Sequence, residues 1–193
     1  MNINFWMRTI TAKHCLKLVC FLTAITVTIL QAEDRNPQKS PVFSKYGPVF
    51  PIVNRDIPLP ENHIYKVVFD LSNASDEKFQ LNRHLESVAR FINMHVMNGV
   101  KLSNLDLAVV IHGAATRDGL TQKAYQDKYF DDNPTLDMIE QLSDKGVDFY
   151  QCGQSIEFMG IKKSELASPI KLALSAMTML STLQSKGYSY VPL

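Results

Sequence analysis

Three side chains able to do covalent or proton chemistry stand where a strand gives way to a loop: Cys152, His112 and Asp70. Cys152 ends the run Gly146-Val-Asp-Phe-Tyr-Gln-Cys152-Gly153, which reads as a buried strand, Val147 to Gln151, followed by a thiol and a glycine. With a helix starting just after it, its thiolate faces backbone N–H groups and a favourable helix dipole. Both lower a thiol's pKa and make it nucleophilic. Gly153 allows close approach of a ligand or of backbone. The plainer reading is that free cysteine is among the most buried residue types and is usually inert. His112 follows a second strand directly and could serve as base or thiolate partner, as in other Cys/His pairs, or simply bond a loop carbonyl. Asp70 ends the first strand and either orients His112 or caps the turn that follows, as short acidic side chains commonly do.

Cys152 gains weight from what precedes it. Residues 1–32 read as a secretory signal. Arg8, Lys13 and Lys17 form a positive n-region, Leu18 to Leu30 an apolar run, and Leu30-Gln31-Ala32 a small-residue cleavage site. The run is shorter than the roughly 20 residues a membrane-spanning helix needs, which counts against the competing reading, an uncleaved N-terminal anchor. The expected location is periplasmic or secreted, with no membrane association once the signal is removed. Cys15 and Cys20 leave with that segment and Cys152 remains alone, as a free reactive thiol, half of an intermolecular bridge, or a buried residue. Removing the segment's three cations from the chain's 20 leaves 17 basic against 19 acidic residues, a net of −2. A near-neutral body gives no electrostatic reason to expect nucleic acid.

The elements that must position these residues alternate. Residues 33–62 carry Pro37, Pro41, Pro48, Pro51, Pro58 and Pro60 and form an extended arm. Its apolar Val42, Phe43, Tyr46, Val49, Phe50, Ile52 and Val53 predict that it lies on the body or on a neighbouring subunit. Ile64 to Asp70 is β-branched and aromatic and reads as the first strand. Ser75 is expected to cap a helix that runs to about Met97, with Asp76 and Glu77 in its first turn and Leu81, Leu85, Val88, Ile92 and Val96 on its buried face. Leu105 to Ile111 is a second strand, apolar enough to be covered on both faces. Residues 116–132 read as a polar loop with one helix, most simply a solvated face of mixed charge, alternatively a lid. Asn133-Pro134 opens a helix with Asn133 as its cap. After the cysteine strand come a short helix, a fourth strand at Ile170 to Leu174, and a final helix marked by Met177, Leu180 and Leu183. Residues 63–193 are thus one α/β domain, a mainly parallel sheet with helices on both faces. In such sheets sites gather at the carboxyl ends of the strands.

Other chemistry finds little support. His84 and His95 are eleven residues apart on one helix, roughly 16 Å at 1.5 Å per residue, too far to share a metal. No histidine or cysteine cluster has metal-ligand spacing. There is no GxGxxG, P-loop or GxSxG, so the alternating pattern comes without a nucleotide-binding signature. No metal or organic cofactor is expected.

Taken in order, Tyr65-Lys-Val-Val-Phe-Asp70, Val109-Val-Ile-His-Gly-Ala114, Gly146-Val-Asp-Phe-Tyr-Gln-Cys-Gly153 with Gly160-Ile161, and Leu183-Gln-Ser-Lys-Gly-Tyr-Ser-Tyr190 resemble the DsrE/DsrF-like superfamily of small sulfur-relay proteins. The resemblance covers about residues 64–191. It implies a three-layer α/β sandwich that assembles into trimers or hexamers. Cys152 matches the family's sulfur-accepting cysteine, which takes a sulfane sulfur to become a persulfide and passes it to a thiol-bearing partner protein. The expected function is an exported sulfur-binding or sulfur-transfer protein. The alternatives are a non-catalytic oligomeric scaffold with Cys152 as packing and, last, a cysteine hydrolase with His112 as its only base.

Overall fold

A computed structural model describes residues 37, 42–75 and 79–193. The expected signal segment, residues 1–32, lies outside the described residues, as do Asp76 and Glu77. The five strands are β1 (Tyr65–Leu71), β2 (Leu105–Ile111), β3 (Asp148–Cys152), β4 (Ile170–Ala173) and β5 (Ser189–Pro192). They form one sheet in the order β4-β3-β2-β1-β5, and every pairing is parallel. The helices are α1 (Arg83–Met97), α2 (Gln122–Tyr129), α3 (Leu136–Asp144), α4 (Gly153–Phe158) and α5 (Ala176–Ser185).

Strand residues alternate between the two faces. Val67, Phe69, Leu71, Leu107, Val109, Ile111 and Phe149 point to one side, where Leu85, Val88 and Ile92 of α1 and Met138, Ile139 and Leu142 of α3 complete the main core. Val68, Ala108, Val110 and Cys152 point to the other and meet Ala176 and Leu183 of α5. The three layers follow from that parity. Burial of both faces also explains why β2 reads as a nearly unbroken apolar run.

β5 is not visible as a strand in the sequence. Its four residues are mostly exposed and end in Pro192. Pairing with β1 at the sheet edge, where a missing donor is tolerated, makes the strand.

Two helix starts differ from expectation. Ser75 does not cap α1. Asn82 does, accepting the N–H groups of His84 and Leu85, while its Nδ2 donates to Asn73 O at 2.9 Å and Asp118 Oδ2 at 2.6 Å. Asn133 does not cap α3, which begins three residues later at Leu136. Its Nδ2 bonds the carbonyls of Asp118 and Leu120, and its Oδ1 accepts from Thr135 N–H. In both cases tertiary contacts override the local capping signal.

The 116–132 segment is a solvated face only in part. Residues Gly113–Gly119 form a 3-10 turn that runs toward α2, and Thr116, Asp118, Leu120 and Tyr125 are buried. Lys123, Asp127, Asp131 and Asp132 form the exposed surface that was expected. Burial pushes the Asp118 carboxyl up to about 6, against the opposing pull of Asn82 and Arg117.

The arm lies on the body from Val42 to Val49, with Phe43, Tyr46 and Val49 buried, whereas Phe50, Ile52 and Val53, also expected to be covered, are exposed. Asn93 of α1 holds it. Asn93 Oδ1 accepts from Phe43 N–H, and its Nδ2 donates to the carbonyls of Phe43, Tyr46 and Gly47. Gly47 has φ +60 and comes so close to α1 that a Cβ would sit 2.3 Å from Arg90 N.

Two outcomes are expected. Asn93→Ala leaves buried backbone groups of the arm unpaired and lowers stability by roughly 3 kcal/mol. Denaturant unfolding measures the loss, and limited proteolysis shows cleavage near residues 42–50. For Asp118, the folded state holds its proton more tightly than the unfolded chain between about pH 4 and 6. Stability therefore falls as pH rises through that window, by about 3 kcal/mol from this group. Denaturation of Asp118→Asn beside the parent at pH 4, 5, 6 and 7 will show the variant without that loss.

Candidate functional site

The site begins with the end of β3. Because side chains alternate, Phe149 and Gln151 enter the main core while Tyr150 and Cys152 face α5. The chain then turns into α4 at Gly153. A Cβ there would lie 2.7 Å from Ala173 O and 3.0 Å from Leu174 O, closer than a side chain tolerates. The glycine thus serves backbone approach, and it lets the end of β4 close over the cysteine.

Cys152 is 5% exposed, among Val68, Ala108, Val110, Ala176 and Leu183. It is the free cysteine among the described residues. Burial alone raises a thiol's pKa. Here it is outweighed by the Ser155 hydroxyl and by the N–H groups of Ser155, Ala176 and Gln154, so the thiol sits below its ordinary value. The sulfur makes no capping bond of ordinary geometry to α4. These groups act on its charge instead. Ser155 Oγ is itself held, accepting the Gly113 N–H at 3.2 Å.

Gly113 follows His112, which ties the two strand ends together. His112 is extended, and its N–H donates to Leu71 O at 3.0 Å. The β2–β3 pairing ends at Ile111 and Gln151, and His112 and Cys152 are the next residues of the two chains. Its Nε2 lies 2.7 Å from Asp70 Oδ1. The other carboxylate oxygen of Asp70 accepts the Tyr190 hydroxyl at 2.7 Å, which pushes the Tyr190 phenol up. Asp70 thus holds His112 and Tyr190; it does not cap the turn after β1. His112 bonds a carboxylate rather than a loop carbonyl. No hydrogen bond joins His112 to Cys152 among the described residues. What the arrangement offers chemically is a thiol at the end of β3 and, just past the end of β2, an imidazole whose Nε2 is held by Asp70.

Ser155 and Tyr190 were missed by the sequence reading. The spacing Cys152-Gly-Gln-Ser155 was a usable signal, since a hydroxyl three residues into a helix reaches back to the residue that starts it. Tyr190 had none, because its strand was unrecognised. The other histidines stand apart from the site. His95 packs against Tyr65 and Phe91, bonds Phe91 O at 2.7 Å, and is held below the ordinary imidazole pKa by burial. Among the described residues, no group of three His, Cys, Asp or Glu side chains is arranged to hold a metal ion.

Comparison with known proteins agrees with this architecture. The comparison with curated proteins returned no match. Among solved structures, the ychN protein from E. coli is similar, with a TM-score of 0.50 and 19% identity over 67% of this chain and 99% of its own. The protein of unknown function MTH1491 from Methanobacterium thermoautotrophicum gives a TM-score of 0.49 and 16% identity, again covering 67% of this chain and 99% of its own. The likeness to the ychN protein is one of fold. The model of the DsrE/DsrF-like family matches residues 66–193, from the second residue of β1 to the end of the chain, and the chain therefore belongs to the DsrE/DsrF-like family.

Proposed function

We propose that this protein carries sulfane sulfur on Cys152 as a persulfide and passes it to a thiol-bearing partner. The observation that carries the reading is the Cys152 environment: a buried thiol whose pKa is nonetheless held below the ordinary value by the surrounding hydroxyl and N–H groups. A packing cysteine has no need of such partners. Membership of the DsrE/DsrF-like family points to sulfur relay at the family level.

The chemistry needs no net oxidation. The Cys152 thiolate attacks the outer sulfur of a hydropersulfide, RS–SH. The RS–S bond breaks, RS⁻ leaves with the electron pair and takes up a proton, and Cys152 becomes the persulfide. An acceptor thiolate then attacks the outer sulfur, and Cys152 leaves as thiolate. His112 is the proton partner through Nδ1, since Asp70 faces Nε2. Asp70 orients it. Export rests on the character of residues 1–32, and assembly into trimers or hexamers on the family resemblance.

One observation favours a second reading. At 5% exposure and inside an apolar cluster, Cys152 also suits a scaffold in which it only packs.

Intact mass of the protein after treatment with a sulfane-sulfur donor, with and without reductant, separates the two. A gain of one sulfur that reductant removes, and that Cys152→Ser lacks, is expected. An unmodified thiol that also resists a small alkylating reagent would establish the scaffold. In the same assay His112→Gln slows loading at neutral pH by roughly 100-fold, the scale of a lost acid–base group. Unchanged loading would remove His112 from the mechanism.

A further inference from the structure

Asp70 is held from both neighbouring strands. In the register of β5 against β1, Tyr190 lies beside Val68, whose side chain points to the α5 face. Asp70 is two residues further along β1 and shares that face. The Tyr190 hydroxyl reaches it and donates to Oδ2 at 2.7 Å. On the other side, His112 continues β2 in extended conformation, two residues beyond Val110 of the same face. Its Nε2 lies 2.7 Å from Asp70 Oδ1. Both oxygens of one carboxylate are thus engaged, each by a different strand end. β5 also holds the backbone at this point, since Leu193 N–H donates to Asp70 O at 3.0 Å. A carboxylate can only accept. The hydrogen of the first bond therefore stands on the tyrosine oxygen, and that bond pushes the phenol up. The hydrogen of the second stands on Nε2.

We propose that Tyr190 is a positioning residue for His112: by holding Asp70 Oδ2 it fixes Oδ1 against the ring and keeps the neutral imidazole in the tautomer protonated on Nε2. The consequence for chemistry rests on the sulfur-carrier reading; the tautomer does not. An imidazole with its hydrogen on Nε2 keeps its lone pair on Nδ1. In loading, the Cys152 thiol proton passes to Nδ1, the sulfur bonds the outer sulfur of RS–SH, and the proton goes on to the departing RS⁻. In transfer, the same nitrogen takes the proton of the acceptor thiol and returns it to the departing Cys152 thiolate. The other tautomer presents Nδ1–H and can begin neither step. Without the tyrosine hydroxyl, Oδ2 loses its partner and the carboxylate can turn about its Cβ–Cγ bond.

Tyr190 is 44% exposed, so Tyr190→Phe removes the hydroxyl without opening a cavity or altering the β5 pairing. Long-range 1H–15N spectra of the imidazole rings read the tautomer with no sulfur donor present, the His112 signals being those that His112→Gln lacks. At about pH 9, above the ordinary imidazole range, the parent ring should show one bare nitrogen, Nδ1, and one protonated nitrogen, Nε2. Tyr190→Phe should move both nitrogens toward the average of the two tautomers, and Asp70→Ala should move them further. Loading at neutral pH should fall about tenfold in Tyr190→Phe, less than the roughly hundredfold that a 1 Å misplacement can cost. In a His112→Gln background the same substitution should have no further effect, because the two act through one group. A parent ring protonated on Nδ1 would overturn the proposal. So would a Tyr190→Phe protein whose ring nitrogens or loading rate match the parent's, or whose loading falls equally with and without His112. A parent that takes up no sulfur would sink the sulfur-carrier reading alone, and the ring spectra would still decide the role of Tyr190.

Discussion

The matched parallel register of β1, β2 and β3 is the constraint on which the site depends. Leu71 pairs with Ile111 and Ile111 with Gln151, so the three strands end level. Asp70, His112 and Cys152 consequently come to one rim of the sheet from chain positions 40 and more residues apart. The parity matters as much as the level. A slip of one residue in β3 would carry Cys152 to the α1 face and bring Gln151 out in its place. Register is well determined here because both faces are buried: Phe149 fills the main core while Tyr150 and Cys152 face α5.

Burial and ionisation oppose each other at Cys152. An apolar site costs a thiolate its hydration, and the protein offsets that with a hydroxyl and three backbone N–H groups drawn from two segments, the start of α4 and the start of α5. Bringing those segments together requires that the end of β4 pass directly over the start of α4. A side chain at position 153 would hold them apart. The glycine next to the cysteine is therefore part of the electrostatics of the site, through the packing it permits.

Similar buried polar bonds organise the rest of the domain. Asn82, Asn133 and Asp118 bond one another's side chains or backbone and join the start of α1, the 3-10 turn after β2 and the approach to α3. That turn ends the loop carrying His112 and Gly113, so the polar network stabilises the same loop that meets Ser155. About three turns further along α1, Asn93 fastens the arm with four hydrogen bonds to three residues. Asparagine serves repeatedly because it can give and accept at once, which lets one side chain satisfy several backbone groups that would be costly to bury alone.

Sequence alone determined the alternation of elements, the cores of β1, β2 and β3, and the three residues at their carboxyl ends, because hydrophobic period and turn residues are local signals. It placed the cysteine at a strand end for the same reason. The contacts among those residues were decided only by tertiary structure. Asp70 could as well have capped its own turn. It faces His112 because parallel pairing puts the next strand's side chains on the same face, and Tyr190 joins it because a short edge strand with little pattern of its own pairs with β1. Ser75 and Asn133 looked like caps by type and position, but Asn82, tied to Asp118, caps α1, and Asn133 is taken up by the carbonyls of Asp118 and Leu120. The 116–132 segment looked like a solvated surface because its composition is polar. It is partly interior because Thr116 and Asp118 find partners in distant segments, Gln151 and Asn82, which no local pattern encodes.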